Sequence, residues 1–224
     1  MIVAIDGPDG AGKSTHVELL RSWLERCGVA CTVVSKWDVL DADQHPEARF
    51  LRGTDRQELT ACVAEMPLPA RSLFIMWLYA ETAARAARLA GAGGVVLLDG
   101  FWMKHAAAEL AYGADRALVE TIVAGLGAVD VVLYLDVTPE EALRRKGGAL
   151  TPYECGLDAG RDTGKFLARQ AAIRDQLLEW ADRDGWLRVG GATVEEVQAE
   201  IRRLVSELLP AASERPEELD LVRP

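Results

Sequence analysis

Five short runs of aliphatic and β-branched residues constrain the fold of this chain more than any other feature. Runs of this kind are typical of strands buried on both faces, and long connections between them are typical of parallel pairing. We therefore predict an α/β fold in which helices cover both faces of a parallel sheet. The predicted strands are Ile2–Ile5, Cys31–Val34, Val95–Leu98, Val129–Leu135 and Trp186–Val189.

The longer segments between these runs carry apolar residues at helical spacing. Thr138 followed by Pro139 is typical of a helix start, because threonine caps the first turn and proline fits its first position. The predicted helices run from Lys13 to about Cys27, from about Pro69 to Leu89, onward from Trp102, from Pro139 to Lys146, from about Thr163 to Asp182 and from Val194 to Leu208.

Two stretches, residues 37–53 and 147–164, lack this pattern and are rich in polar residues or glycine. Ligands of parallel α/β sheets bind beyond the carboxyl ends of the strands, so both stretches are candidate loops that close over a site. Residues 211–224 combine prolines and acids without periodicity, and we predict a disordered tail there. The remaining residues, 1–210, are of a length common for a single domain, so we predict one domain there.

The overall charge and apolar pattern exclude some partners. A formal net charge of -10 repels polyanions and disfavours general binding of nucleic acid. The sequence has no charged leader and no apolar run near the roughly 20 residues that span a bilayer, so we expect a cytoplasmic protein without a membrane partner. No metal-ligand spacing is evident among Cys27, Cys31, Cys62, Cys155, His16, His45 and His105.

Residues 7–14, Gly-Pro-Asp-Gly-Ala-Gly-Lys-Ser, fit the P-loop pattern and lie between a predicted strand and a predicted helix. Glycines let backbone N–H groups turn toward phosphate oxygens, and the helix N-terminus adds positive potential. Lys13 would reach the β- and γ-phosphates of ATP, and Ser14 would ligate Mg²⁺. The predicted nucleotide-binding residues in this segment are Gly10, Ala11, Gly12, Lys13, Ser14 and Thr15.

Asp99 ends the apolar run that begins at Val95, which places a carboxylate at the carboxyl edge of the sheet, facing the P-loop. A carboxylate there suits a ligand of Mg²⁺ or of metal-bound water, so Asp99 is a candidate metal and catalytic residue. The alternative is an aspartate that only caps the following helix.

Three basic residues, Arg144, Arg145 and Lys146, end a predicted helix at the start of the 147–164 loop, and Arg161 lies near its far end. Phosphoryl transfer spreads negative charge over oxygens that guanidinium groups can stabilise, so Arg145 and Arg161 are candidate catalytic residues. A solvated basic helix end, favoured by the helix dipole, is the alternative.

These elements, in this order, resemble a thymidylate kinase. After the P-loop, the most specific part is residues 135–148, Leu-Asp-Val-Thr-Pro-Glu-Glu-Ala-Leu-Arg-Arg-Lys-Gly-Gly, and the resemblance extends to Leu97-Leu98-Asp99 and to residues 190–197. It covers most of the chain. It implies a P-loop kinase fold, a three-layer sandwich with a five-stranded parallel sheet, and transfer of the γ-phosphoryl group of ATP, with Mg²⁺, to a nucleoside monophosphate.

The resemblance also implies roles for individual segments. Residues 147–164 correspond to a lid over the phosphates, and residues 190–193, including Gly191 and Ala192, to the part that holds adenine. Arg144, in the basic helix end before the lid, is a further predicted nucleotide-binding residue. Asp9 matches a P-loop carboxylate that contacts the acceptor sugar in the family. A small-molecule acceptor and a homodimer are the implied partners.

On the acceptor side the chain departs from the family pattern. The family follows the third strand with Asp-Arg and an aromatic residue, whereas Gly100 stands at the arginine position here. The family's Glu-Pro-Gly after the second strand is replaced by residues 35–38, Ser-Lys-Trp-Asp, and the arginine expected in the long helix near Tyr79 is missing, with Arg85 displaced. Arginine binds phosphate in a planar, bidentate way that lysine does not reproduce.

Two lysines, Lys36 and Lys104, are candidates to replace the lost charge, although each is also compatible with an ordinary surface position. One or two aromatic residues on the flanking segments would stack on a planar ring, while the others would belong to the core. The predicted acceptor-binding residues are Asp9, Lys36, Trp37, Phe74, Trp77, Tyr79, Phe101 and Lys104.

These observations predict an ATP-dependent phosphotransferase whose acceptor is a nucleoside monophosphate. A kinase of a small non-nucleotide metabolite is the alternative that the departures favour, and the retained Asp9 opposes it. A nucleotide-binding homologue without catalysis is a third interpretation, since acceptor-side arginines are missing. A GTPase is disfavoured, because the sequence lacks the Asn-Lys-x-Asp pattern that reads guanine.

Overall fold

A five-stranded parallel sheet forms the centre of the computed structural model, which describes residues 1–209. The strand order is β2-β3-β1-β4-β5, so β1 lies in the middle, between β3 and β4. The predicted sheet is confirmed, and the strand ends move by at most two residues from the predicted ones. The strands are β1 (Ile2–Asp6), β2 (Cys31–Val34), β3 (Val95–Asp99), β4 (Val131–Leu135) and β5 (Leu187–Val189).

Eight α-helices within residues 1–209 connect and follow the strands. They are α1 (Lys13–Arg26), α2 (Arg56–Glu65), α3 (Leu68–Ala90), α4 (Trp102–Ala111), α5 (Arg116–Ala124), α6 (Pro139–Lys146), α7 (Thr163–Asp184) and α8 (Val194–Leu208). Short 3₁₀ helices span Lys36–Leu40, Pro46–Leu51 and Tyr153–Cys155.

Two of these helices, α2 and α5, were not predicted from the sequence. Helix α2 buries only Leu59 and lacks a clear apolar stripe. Helix α5 buries Val119 and packs Ile122 and Val123 beside it, so its apolar face was present in the sequence but was not recognised. Their starts did carry a local signal, because the side chains of Asp55 and Asp115 each accept a hydrogen bond from a backbone N–H of the first turn.

Helices cover both faces of the sheet, and alternate strand residues point into two separate apolar clusters. In β3, Val96 and Leu98 pack into the cluster with α3, α4 and α7, while Val95 and Leu97 pack into the cluster with α1 and α8. Successive side chains of a strand point to opposite faces, which accounts for this division. The arrangement is that of a three-layer α/β sandwich.

The carboxyl ends of β1 and β3 are held together by the buried side chain of Asp6. Its Oδ1 atom accepts a hydrogen bond from the backbone N–H of Gly7 at 2.6 Å, and its Oδ2 atom accepts one from the N–H of Phe101 at 2.8 Å. Burial raises the pKa of this carboxyl group, and the charge of Lys13 opposes that rise. Asp6 therefore connects the segment after β1 to the corner after β3.

Among the described residues, no helix combines the length and apolarity that crossing a lipid bilayer requires. The tail predicted at residues 211–224 lies outside the described part of the chain.

Substitution of Asp6 tests its connecting role. In Asp6→Asn the amide retains only one acceptor oxygen, so one of the two backbone N–H groups loses its partner. We expect the free energy of unfolding to fall by about 1–3 kcal/mol, the cost of one buried unsatisfied group. Urea denaturation measures it, and Asp182→Asn, whose side chain is 74% exposed, should change it by less than about 0.5 kcal/mol. Equal stabilities for the two variants would contradict the role given to Asp6.

Candidate functional site

The P-loop, residues 7–14, runs from the end of β1 to the first turn of α1. Gly10 and Gly12 adopt left-handed backbone conformations, with φ of 83° and 89°. A Cβ atom at Gly10 would also lie 2.8 Å from the carbonyl oxygen of Ala142 in α6, so only glycine fits this close approach. Backbone packing against α6 thus shapes the loop.

Lys13 extends back along this loop. Its Nζ atom donates hydrogen bonds to the carbonyl oxygens of Gly7 at 2.8 Å and Pro8 at 2.9 Å. A lysine ammonium has three donors, so one remains for a phosphate oxygen. Burial lowers the pKa of Lys13, and the charge of nearby Asp9 opposes that effect.

The two predicted metal ligands, Ser14 and Asp99, lie in contact. The Ser14 Oγ atom lies 3.0 Å from Oδ1 and 2.8 Å from Oδ2 of Asp99. A hydroxyl and a carboxylate at this spacing form the small oxygen donor set typical of Mg²⁺, which keeps several of its waters in proteins. The side chains present therefore fit a magnesium ion.

Of the basic residues near the 147–164 segment, Arg145 alone is seen to contact the P-loop within residues 1–209. Its Nη1 atom donates to the Ala11 carbonyl oxygen at 3.4 Å, and its Nε atom pairs with Glu141 at 2.6 Å. Arg144 pairs with the same glutamate, but its side chain is 73% exposed. Arg161 is exposed, has a left-handed φ of 54°, and pairs with no carboxylate among the described residues.

The remaining residues predicted to bind the nucleotide lie at two helix starts. Thr15 is exposed in the first turn of α1. Gly191 and Ala192 follow β5 at the start of α8, where the N–H of Ala192 donates to Glu196 Oε2 at 2.8 Å and Thr193 caps the helix. Both positions lie at the carboxyl edge of the sheet, and their contact with adenine stays a prediction.

A cavity of about 290 Å³ opens beside the P-loop, with Lys13, Ser14 and Asp99 in its wall. The rest of its wall comes from α2, α3, α4 and the 3₁₀ helices that begin at Lys36 and Tyr153. The structure brings six of the predicted acceptor-binding residues to this cavity: Asp9, Lys36, Trp37, Tyr79, Phe101 and Lys104.

The other two predicted acceptor residues, Phe74 and Trp77, lie outside this cavity. Trp77 packs against both Phe50 and Phe74, with ring centroids 5.3 Å and 5.7 Å away. The reason is helical geometry: Ile75, Leu78 and Tyr79 form the cavity-facing stripe of α3, and positions 74 and 77 project to a neighbouring side.

Asp9 is held in place by partners from two helices. Its Oδ1 atom lies 3.0 Å from Lys104 Nζ of α4, and its backbone N–H donates to Gln170 Oε1 of α7 at 3.2 Å. Burial would raise the pKa of Asp9, but the charges of Lys104 and Lys13 outweigh burial and lower it below its usual range. The carboxylate therefore faces the cavity in its ionised form.

His105 is a central residue of the cavity that the sequence did not single out. Its Nε2 atom lies 2.7 Å from Lys36 Nζ and 3.3 Å from Lys104 Nζ, and its Nδ1 atom lies 2.7 Å from the Tyr79 hydroxyl. Burial, and then the charges of the two lysines, lower the pKa of His105 well below its usual range, so the ring is neutral. Its position one helical turn after Phe101, beside Lys104, was the available signal.

Further residues of the wall were also missed. The Arg56 guanidinium lies 4.5 Å from the Trp37 ring centroid, a cation–π contact that joins α2 to the segment after β2. Thr151, Tyr153 and Glu154 also line the cavity, and all three belong to the 147–164 segment. Tyr153 donates to Glu109 Oε1 at 3.0 Å. These residues come from segments that are far apart in sequence, so their spacing along the chain does not predict that they share a cavity.

The arginines of α3 do not substitute for those that the family pattern would place here. Arg85 lies 3.6 Å from Asp38 and 3.0 Å from the Nε2 atom of His45. Arg71 is buried against Glu109, with Nε 2.9 Å from Oε1, and neither arginine lines the cavity. Gly100, which stands after β3 where the family pattern has an arginine, has a φ of 72°, a conformation that disfavours any larger residue.

The fold and this site define a P-loop phosphotransferase. No family model matches the chain. A probable thymidylate kinase of Archaeoglobus fulgidus is 26% identical over 93% of this chain and 96% of its own length, and a putative thymidylate kinase of Aeropyrum pernix is 29% identical over 94% and 98%. A thymidylate kinase of Chlorobium luteolum is 32% identical over 65% of this chain and 66% of its own length. The chain belongs to the thymidylate kinase family.

Lys13 is the first residue to test in this site. In Lys13→Ala the side-chain ammonium at the P-loop carbonyls is lost, and we expect turnover to fall by at least about a hundredfold, the scale of one preorganised electrostatic group. The measurement is ADP release with the best acceptor. A thermal melt should show the fold retained, and near-normal turnover would contradict the assignment.

Arg145 and Arg161 are tested together. If both stabilise the transition state, Arg145→Ala and Arg161→Ala should each lower kcat more than they raise the KM for ATP, because such groups contribute little to ground-state binding. Steady-state kinetics with ATP varied separates the two effects. Arg183→Ala, at the far end of α7, is the control for loss of an exposed arginine. A change confined to the KM for ATP would exclude a catalytic role for either residue.

Proposed function

We propose that the protein transfers the γ-phosphoryl group of ATP, in the presence of Mg²⁺, to a nucleoside monophosphate. The observation that carries this proposal is a single cavity whose wall holds the P-loop Lys13 and the Ser14–Asp99 pair on one side and Lys36 and Lys104 on the other. A phosphoryl donor and an anionic acceptor can therefore meet in one space. The names of the relatives support a nucleotide as the acceptor.

On the donor side, this chain binds and positions rather than forming covalent bonds. The P-loop N–H groups and the Lys13 ammonium would hold the phosphates, and Arg145, already against the Ala11 carbonyl, would add charge next to them. Ser14 and Asp99 would hold Mg²⁺, which when bound neutralises charge on the β- and γ-phosphates.

On the acceptor side, Asp9 would accept a hydrogen bond from a hydroxyl of the acceptor, and Lys36 and Lys104 would bind its phosphate. Asp9 is suited to this because its ionised carboxylate faces the cavity beside Lys104. Both lysines would supply positive charge in place of the missing arginines.

We also propose that residues 147–164 act as a lid. Thr151, Tyr153 and Glu154 already line the cavity, and Glu154 is held at 2.9 Å by Lys146, the last residue of α6. A segment in this position excludes water from the reacting groups. One domain over residues 1–210, a homodimer and a cytoplasmic location stay predictions.

A phosphorylated metabolite other than a nucleotide is the second candidate acceptor. The end of the cavity formed by α2 and α3 is lined by Leu59, Val63, Ile75 and Leu78, with Thr60 beside them. Among the described residues, no asparagine or glutamine lines the cavity, so no side-chain amide is placed to read the edge of a base. This observation favours an acceptor whose non-phosphate part is less polar than a nucleobase.

The two candidates are separated by a screen. ADP release from purified protein is measured with nucleoside monophosphates, nucleosides and phosphorylated metabolites under identical conditions. A strong nucleotide acceptor supports the proposal, and a strong non-nucleotide acceptor supports the second candidate. If no compound in the panel releases ADP while ATP still binds, the result favours a noncatalytic homologue.

Thymidylate itself should be a poor acceptor. Two charge-assisted contacts expected from the family are missing, at Gly100 and near Tyr79, and each contributes about 1.5–3 kcal/mol. Their loss corresponds to roughly two to four orders of magnitude in kcat/KM unless Lys36 and Lys104 compensate. The test compares kcat/KM for thymidylate with that for the best acceptor.

A kcat/KM for thymidylate at or above about 10⁴ M⁻¹s⁻¹, within the ordinary range of enzymes, would contradict this prediction. In that outcome Lys36→Ala and Lys104→Ala should each weaken the use of thymidylate, because those lysines would then supply the missing charge.

A further inference from the structure

Two lysines from different parts of the chain converge on one ring nitrogen in the cavity. Lys36 begins the 3₁₀ helix after β2, and Lys104 belongs to the first turn of α4. Their Nζ atoms lie 2.7 Å and 3.3 Å from Nε2 of His105. That nitrogen has a single lone pair, so it cannot fully satisfy both amines, and donor capacity is left facing the cavity.

The charges around these lysines do not balance. Lys104 is paired with Asp9 at 3.0 Å, whereas Lys36 forms no ion pair with a carboxylate among the described residues. Lys36 instead lies 4.8 Å from the ring centroid of Trp37 and 5.6 Å from that of Tyr79. Holding a second ammonium beside Lys104 in this partly desolvated space is costly without a counter-anion.

The orientation of His105 is set by its other contacts. Its Nδ1 atom lies 2.7 Å from the Tyr79 hydroxyl, and its ring stacks on Tyr153, with centroids 6.3 Å apart and an interplanar angle of 26°. A neutral ring held in this way directs Nε2 toward the two lysines. His105 is thus a positioning residue for both amines.

We propose that Lys36, Lys104 and His105 form a binding site for a doubly charged oxyanion group of the acceptor, and that Lys36 takes up a proton when this group binds. The proposal rests on the proposed function for its acceptor side. The site requires that the acceptor be a phosphomonoester, whose dianion suits two ammonium groups, and it disfavours unphosphorylated nucleosides. No arginine of α3 contributes to this site.

The direction of the proton transfer follows from the surroundings of Lys36. In the cavity without an anion, burial and then the charge of Lys104 lower the pKa of Lys36 well below its usual range, and Asp9 opposes them. A bound dianion favours the charged amine and raises that pKa. The groups that face Lys36 are His105 and Lys104 from α4, Tyr79 from α3, Arg56 from α2, and Lys13 and Asp9 from the P-loop.

Between the two pKa values of Lys36, one without and one with the anion, binding takes up to about one proton. The affinity for the anion therefore falls as the pH rises through this window, by up to about tenfold per pH unit. A site built from arginines has no such dependence, because guanidinium groups stay charged.

Sulfate is the probe for this site, since its charge does not change near neutral pH. The protein is first saturated with Mg²⁺ and a non-hydrolysable ATP analogue, so that sulfate does not compete for the P-loop. Calorimetric titrations in two buffers of different ionisation enthalpy then give the number of protons taken up. We expect proton uptake in the native protein and weaker sulfate binding at higher pH.

Variants separate the charge of Lys36 from its proton. Lys36→Arg should retain sulfate binding and lose the proton uptake, whereas Lys36→Gln should weaken binding by about tenfold or more, the scale of a lost charge-assisted contact. Lys165→Ala, which removes a lysine whose side chain is 60% exposed on α7, is the matched control and should behave as the native protein. Thermal melts show which variants fold.

His105 is tested by the pH profile. His105→Asn keeps an oxygen that accepts from a lysine and should preserve most of the sulfate affinity, while His105→Leu removes the acceptor and should weaken binding and shift its pH dependence. Equal profiles for both variants and the native protein would remove the positioning role.

Two results would overturn the proposal while leaving the proposed function intact: an active kinase whose analogue-saturated form does not bind sulfate, or equal proton uptake in the native protein and Lys36→Arg. Sulfate binding linked to Lys36 in a protein that releases no ADP with any acceptor would contradict the proposed function and support the oxyanion site.

Discussion

The buried carboxylate of Asp6 is the contact on which the geometry of the site depends. One oxygen accepts from the N–H of Gly7, at the start of the P-loop, and the other accepts from the N–H of Phe101, at the corner after β3. Asp99 precedes that corner and Lys104 follows it in α4. One buried group thus binds both backbones and joins the donor side of the site to the acceptor side.

The site must bring two anionic substrates together although the chain has a net charge of -10, and this is a second constraint on its structure. Basic side chains from the P-loop, α2, α4 and the segment after β2 line the cavity. Asp9 offsets part of that charge, and the neutral ring of His105 lies between two lysines. The repulsion between the lysines is thereby limited, while their N–H donors stay available to bind an anion.

Much of the fold could be predicted because local and tertiary preferences agree. The strands are buried on both faces and read as continuous apolar runs, and helices such as α6, with Thr138 and Pro139 at its start, carry explicit signals. Helix α2 was missed because it buries only Leu59. Ser14 and Asp99 could be predicted as neighbours because the ends of parallel strands share one edge of the sheet.

By itself, the sequence determined the order of the elements, the P-loop and the residues that follow the carboxyl ends of the strands, since these depend on period and local spacing. Only the tertiary structure decided which side chains share the cavity. His105 meets Lys36 across 69 residues of chain, and Tyr153 joins them from the 147–164 segment. The rotation of α3 directs Tyr79 inward and Trp77 away. Such contacts depend on how the helices pack against one another, and this packing cannot be inferred from the spacing of residues along one chain.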